Sequence, residues 1–207
     1  TSIKPKILIG YNLRFSKALL KFKKTINYKK YGKLLYVACQ VGRSLDQWRD
    51  NNLKLAASNK KKGGGVILEL SHELDYLNWI FGPIAVLSSK INNLKKFNLN
   101  VEENYFAIIK SNKNIIINLL VDMVRCDPKR FCEAIFDKAT IRLDLIDGSV
   151  KITNNKTFKL YKYDNDLDNS YKNMWYDYLK NSEKIKTKDT INSSLQILGL
   201  IETIKKN

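Results

Sequence analysis

The stretch Gly63-Gly64-Gly65-Val66-Ile67-Leu68-Glu69-Leu70-Ser71-His72-Glu73-Leu74-Asp75-Tyr76-Leu77-Asn78-Trp79-Ile80-Phe81-Gly82 constrains the fold of this chain more than any other. It carries the single histidine of the 207 residues. Three glycines open it, where the backbone is free to bend tightly. Gly82-Pro83 closes it, with Gly just past the last periodic residue and Pro beyond, an ordinary helix stop. Between these ends the spacing predicts one helix over residues 66–81.

At about 100° per residue that helix has two sides. Val66, Ile67, Leu70, Leu74, Leu77 and Phe81 form an apolar stripe that must face a core. Glu69, His72, Tyr76 and Trp79 gather on the far side beside Leu68. An exposed face would carry Lys and Glu there; one acid, one imidazole and two amphipathic aromatics suit the wall of a pocket. Glu69 lies three residues before His72, within side-chain reach on a helix. Its carboxylate is expected to fix the ring tautomer and raise the ring's pKa, as proton transfer near neutral pH requires. His72 and Glu69 are therefore the candidate catalytic residues, with Tyr76 a candidate substrate contact. A lone His on a helix is more often exposed or merely satisfied, and spacing alone does not separate the two roles. A metal site is not expected, because the second His of a zinc-protease helix is missing and no other His exists.

The same stretch resembles the signature helix of the glucose-fructose oxidoreductase, inositol dehydrogenase and rhizopine-catabolism (Gfo/Idh/MocA) family of NAD(P)-dependent sugar dehydrogenases. That pattern is a glycine run, an acid, a His, an Asp three residues after the His, and a closing Leu/Phe-Gly. Glu69, His72, Asp75 and Gly82 fill those places. The family usually sets three residues between acid and His, whereas here Leu70 and Ser71 are the only two. His72-Glu73-Leu74-Asp75-Tyr76 is similar to a branch associated with bacterial surface-sugar biosynthesis. Gly10-Tyr11-Asn12-Leu13-Arg14-Phe15 resembles the family's Asn-x-Arg-Phe segment, where the chain leaves the nucleotide-binding domain. On that likeness residues 1–14 are a crossover from a nucleotide-binding domain, and Tyr11 and Arg14 are candidate substrate contacts. For Arg14 an ion pair holding two elements together is the competing role. Lys4-Pro5 is not the family's catalytic Glu-Lys-Pro, because Ile3 precedes it and no helix separates it from Asn12.

The rest of the chain is read in order. Residues 7–10 read as a buried strand, Ser16 as the N-cap of a helix to about residue 28, and residues 34–41 as a strand. Residues 42–62 are polar and aperiodic, a long loop of the sort that is often functional. Asp46-Gln47-Trp48-Arg49 resembles the family loop that partly covers the sugar. Trp48 can stack on a sugar ring and Arg49 can grip a carboxylate or phosphate in two-pronged fashion; a surface Trp-Arg pair packing on a neighbour is an equal alternative. From residue 84 the period changes to two, predicting strands over 84–91, 105–110, 115–123, 130–136, 140–146, 150–153 and 157–161. Turn signals at 111–114, 147–148 and 154–155 separate them. Two helices close the chain, capped by Asp168 and by Asp189 or Thr190, with Tyr171, Met174, Trp175, Tyr178 and Leu179 of the first and Leu195, Leu198 and Ile201 of the second facing inward.

The fold class that follows is α+β: a single domain over 1–207 with an open, mostly antiparallel sheet and helices on one face, like the C-terminal domain of dihydrodipicolinate reductase. The other face is wet or packs on a second copy, and the family resemblance implies a homo-oligomer through it. The formal charge of +17 is mostly lysine scattered among Asn and Ile, which argues for solvated surface rather than the clustered Arg of a nucleic-acid reader. Three unpaired cysteines and the lack of any long apolar run suggest a cytoplasmic protein with no membrane span. No Gly-x-Gly-x-x-Gly turn follows a strand. The resemblance therefore implies the substrate-binding domain of an NAD(P)-dependent oxidoreductase acting on a sugar or sugar nucleotide, as in surface-polysaccharide synthesis. NAD or NADP would be bound mainly by an absent domain, leaving this chain alone inactive. The alternative is a stand-alone, non-catalytic binding or oligomerisation module.

Overall fold

The computed structural model describes residues 7–27, 29–47, 58–164, 167–181 and 187–206. Among the described residues the α-helices and strands are, in chain order, α1 (Lys17–Ile26), β1 (Leu34–Gly42), α2 (Val66–Glu69), α3 (His72–Phe81), β2 (Ile84–Asn92), β3 (Asn104–Ser111), β4 (Ile116–Asp122), β5 (Lys129–Phe136), β6 (Thr140–Asp144), β7 (Ser149–Thr153), β8 (Phe158–Lys162), α4 (Leu167–Asn181) and α5 (Thr187–Lys206).

Alternation makes the sheet one-sided. In β3 Tyr105, Ala107 and Ile109 are buried, while Phe106, Ile108 and Lys110 are exposed. In β1 Val37, Cys39 and Val41 point the same way as the buried Cys132 and Ala134 of β5. The helices cover that inner face: α1 lies on β6 and β7, α2 on β3 and β4, and α3 and α5 on β2. None of the described helices is long and apolar enough to cross a membrane. The expected open, mostly antiparallel sheet with helices on one face is present.

Its order is β2-β3-β4-β1-β5-β6-β7-β8. The sheet is thus two antiparallel meanders, β2-β3-β4 and β5-β6-β7-β8, with β1 between them. β1 pairs in parallel with β4 and antiparallel with β5. It enters first and takes the centre, and later strands close on it from both sides.

Residues 7–10 are not in a strand. Ile7 and Ile9 are exposed, and the segment runs beside the closing helices: Thr190 Oγ1 donates to the Ile7 carbonyl at 2.8 Å, and Gly10 abuts Met174. Ser16 caps α1 as expected, its Oγ accepting the Leu19 N–H at 3.5 Å.

The closing helices are rotated from the expected phase and start one or two residues before the expected caps. α4 turns Ser170 and Met174 inward and leaves Tyr171, Trp175 and Leu179 exposed; α5 buries Ile197, Ile201 and Ile204 and exposes Leu195 and Leu198. Apolar residues occur on more than one side of both, so periodicity alone left their inner face undecided.

Candidate functional site

The helix expected over 66–81 is two helices. Gly65 enters at φ 115°, where a Cβ would run into the Glu102 carboxylate. One turn later the backbone leaves helical geometry at Leu70, with φ −110° and ψ 36°, and α3 begins at His72. The break lets Val66 and Ile67 reach β3 and β4 while α3 packs against β2, α5 and the 3-10 turn Asn12–Phe15. α3 is consequently enclosed on several sides, with Glu73, Leu74, Asp75, Tyr76 and Leu77 all buried.

This corrects the role expected of Glu69. It is exposed and belongs to the helix before the break, and no hydrogen bond or ion pair joins it to His72 among the described residues. The shift of the imidazole is also opposite to expectation. Burial, reinforced by the Arg130 cation, lowers the His72 pKa to about 4. His72 Nδ1 is buried and has no hydrogen-bond partner among the described residues. The Tyr11 ring stands edge-on against the imidazole, centroids 5.5 Å apart and planes at 88°. The Tyr11 hydroxyl shares a hydrogen bond with Ser71, and burial raises its pKa. Tyr11 and His72 are therefore brought together.

Arg14 takes the ion-pair role. Its Nε and Nη2 donate to Asp75 Oδ2 and Oδ1 at 2.8 and 2.5 Å, and Nη2 also reaches Ser193 Oγ at 3.2 Å. Burial holds the Asp75 carboxyl above its usual range against the pull of Arg14. Trp79 receives Lys23 Nζ at 3.4 Å and the Arg14 guanidinium at 5.6 Å from its ring centre.

Tyr76 is also corrected. It has no exposed surface, and its hydroxyl lies 3.1 Å from Cys39 Sγ in the core. It faces the sheet and not a pocket, because α3 buries more than one stripe. Trp48 and Arg49 lie outside the described residues.

The sequence reading missed one pair. Arg130 at the start of β5 donates through Nε and Nη2 to Glu73 Oε1 and Oε2 at 2.8 and 3.2 Å, and Glu73 is fully buried. A signal was present: Glu73 falls at helical spacing among Val66, Leu70 and Leu77, and an acid inside an apolar stripe demands a buried cation.

The profile of a family described as "Oxidoreductase family, C-terminal alpha/beta domain" matches residues 23–193. None of the curated proteins matches the chain. Among solved structures, an oxidoreductase from Thermotoga maritima superposes with TM-score 0.78 at 18% identity, over 99% of this chain and 60% of that one. An inositol dehydrogenase homolog from Azotobacter vinelandii, complexed with NAD+, gives TM-score 0.73 at 10% identity over 97% and 60%. A 3-ketoreductase from Actinomadura kijaniata, in complex with TDP-benzene and NADP, gives 0.74 at 8% over 97% and 60%. The chain spans about 60% of the length of these structures. At such identities the likeness shows the fold.

Proposed function

Because this chain belongs to the Gfo/Idh/MocA oxidoreductase family, as its C-terminal α/β domain, we propose that it is the substrate-binding half of an NAD(P)-dependent dehydrogenase acting on a sugar or sugar nucleotide. The observation that carries the proposal is the placement of His72. Its imidazole opens the first turn of α3, packed edge-on against Tyr11 and held unprotonated at neutral pH. A neutral ring has a lone pair free to accept a proton from a substrate hydroxyl and to return it in the reverse direction, although a pKa of about 4 lies below the near-neutral value that general-base work favours. Arg14 serves by clamping α3 through Asp75, which keeps that first turn in place.

The chain's own residues do not fit a dinucleotide. No Gly-x-Gly-x-x-Gly turn follows a strand in the sequence, and the sheet has a single parallel pairing, β1 with β4, among the described strands. The nicotinamide, which would accept or donate the hydride, belongs to a separate nucleotide-binding domain. The inositol dehydrogenase homolog and the 3-ketoreductase carry NAD+ and NADP in their complexes, which supports a nicotinamide cofactor for the intact enzyme. A cytoplasmic setting agrees with Cys39, Cys126 and Cys132 all being free thiols. Association of two copies through the exposed sheet face completes the reading, with Phe106 and Ile108 of β3 at its centre.

The test is turnover of the full-length enzyme with NAD+ or NADP+ over a panel of sugars and sugar nucleotides, with and without His72→Asn. Loss of about 100-fold or more in kcat is expected for the variant. Unchanged turnover would remove His72 from the mechanism.

A further inference from the structure

Glu73 and Arg130 form a costly arrangement. A carboxylate with no exposed surface is stable only if a cation satisfies it with good geometry, and here both oxygens are taken by one guanidinium. The pair joins two elements far apart in sequence. Glu73 is the second residue of α3 and Arg130 the second of β5. Glu73 immediately follows His72, so whatever fixes Glu73 fixes the backbone that aims the imidazole.

We propose that the Glu73–Arg130 pair is a positioning device for His72: it bolts the first turn of α3 to β5 and so fixes the backbone from which the imidazole projects. The proposal rests on the reading of His72 as the proton-transfer group and extends it to a residue that never touches the reacting atoms. Among the described residues Arg130 is the charged group that, after burial, lowers the ring's pKa. From the N-terminal segment the ring meets neutral Tyr11. Arg14 and Asp75 are occupied with one another. The exposed fifth of Arg130 opens into a cavity of about 50 Å3 shared with Lys17, Asp164 and Asn169, so the cation is held from behind by Glu73 while one flank stays hydrated. A lysine would be a poor substitute, because its single ammonium cannot satisfy both carboxylate oxygens in a fixed plane.

The device has a chemical consequence. Burial of the ring, with the Arg130 cation adding to it, disfavours protonation of the imidazole, so a pair that holds the first turn of α3 in place keeps the ring a free base through both causes. A plain structural bolt would hold α3 in place and leave the ring's titration untouched.

The chain contains one histidine, so its ring protons give a single uncrowded NMR titration in this chain itself, without cofactor or substrate. In the unaltered chain we expect a midpoint near 4, together with nuclear Overhauser contacts between Glu73 and Arg130 side-chain protons. In the double variant Glu73→Gln/Arg130→Gln, which keeps the shape and one hydrogen bond but loses the two-pronged bolt and the cation, the loosened first turn lets water reach the ring and the midpoint should rise toward 6.5. A folded double variant whose midpoint matches the unaltered chain would overturn the proposal. If the double variant does not fold, absence of the Arg130 contacts in the unaltered chain overturns it instead. Failure of the dehydrogenase reading is seen separately, as unchanged turnover in His72→Asn, and would not alter the titration.

Discussion

Tyr11 and His72 meet edge to face, 61 residues apart in sequence and 5.5 Å apart between ring centres. The contact is part of the burial that disfavours a charged imidazole, and the Arg130 cation adds to it, so the neutral ring is the form the fold is built around.

That gives a stability signature with a definite sign. In the unfolded chain His72 titrates near 6.5, and in the folded chain at about 4. The folded pKa is depressed, so the unfolded state binds the extra proton first as pH falls. Stability is complete above about pH 6.5 and is lost progressively down to about pH 4, by roughly 3 kcal/mol in all. Urea unfolding across that window should show the unaltered chain falling more steeply than His72→Asn, which has no imidazole to charge. Parallel curves for the two chains would refute the burial of a neutral ring.

The Arg14–Asp75 clamp predicts a second effect. Asp75 is almost fully buried, and Arg14 is its fork-shaped partner. Asp75→Ala strands the guanidinium in a part-buried site and should cost about 3–5 kcal/mol in urea unfolding. Asp75→Asn keeps the shape and one acceptor and should cost about 1–3 kcal/mol. Equal losses in the two variants would mean that packing, and not the charge pair, holds α3.

Tyr76 separates a core role from a site role. Its hydroxyl touches Cys39 Sγ and no solvent. Tyr76→Phe deletes one weak bond without changing volume, so we expect a loss of about 1 kcal/mol or less in thermal unfolding. The KM of the full-length enzyme should stay within about twofold of the unaltered value. A large rise in KM with unchanged stability would put Tyr76 back at the substrate.

Most strands were legible in the sequence because sheet burial has a period of two that nothing else in the chain imitates; the eight pairing strands fall within two or three residues of the runs that predict them. Their order was not legible. That β1 lies between β4 and β5 is a long-range choice, and Val37, Cys39 and Val41 would be equally buried at several places in the sheet. The single helix over 66–81 failed for a related reason. Periodicity scores one apolar stripe at a time, whereas α3 buries several sides, and the break at Leu70 rephases it after Val66 and Ile67 are already packed. The candidate site inherited that error. Glu69 was placed beside His72 by assuming a continuous turn, while Glu73, given no role in the sequence reading, makes the buried contact. His72 and Tyr11 came through because the first is the only imidazole and the second lies in a short motif.

The exposed sheet face yields the last prediction. Tyr36, Phe106 and Ile108 stand outward with 45%, 46% and 46% of their surface exposed, around a shallow groove of about 430 Å3 that includes Leu120 and Phe131. Contiguous apolar surface of this kind marks an interaction site more often than bare solvent contact. A stable dimer needs about 800 Å2 from each partner, which the strands of one flat face can supply. Light scattering after size exclusion should therefore find the unaltered chain dimeric at micromolar concentration. Phe106→Lys combined with Ile108→Glu should convert it to monomer, with a change in unfolding free energy below about 1 kcal/mol, since both side chains already face water in the single chain. The two charges sit two residues apart on one strand and carry opposite signs, so the net charge is unchanged and colloidal repulsion cannot mimic the effect. A monomeric unaltered chain, or a variant that stays dimeric, would move association to another surface.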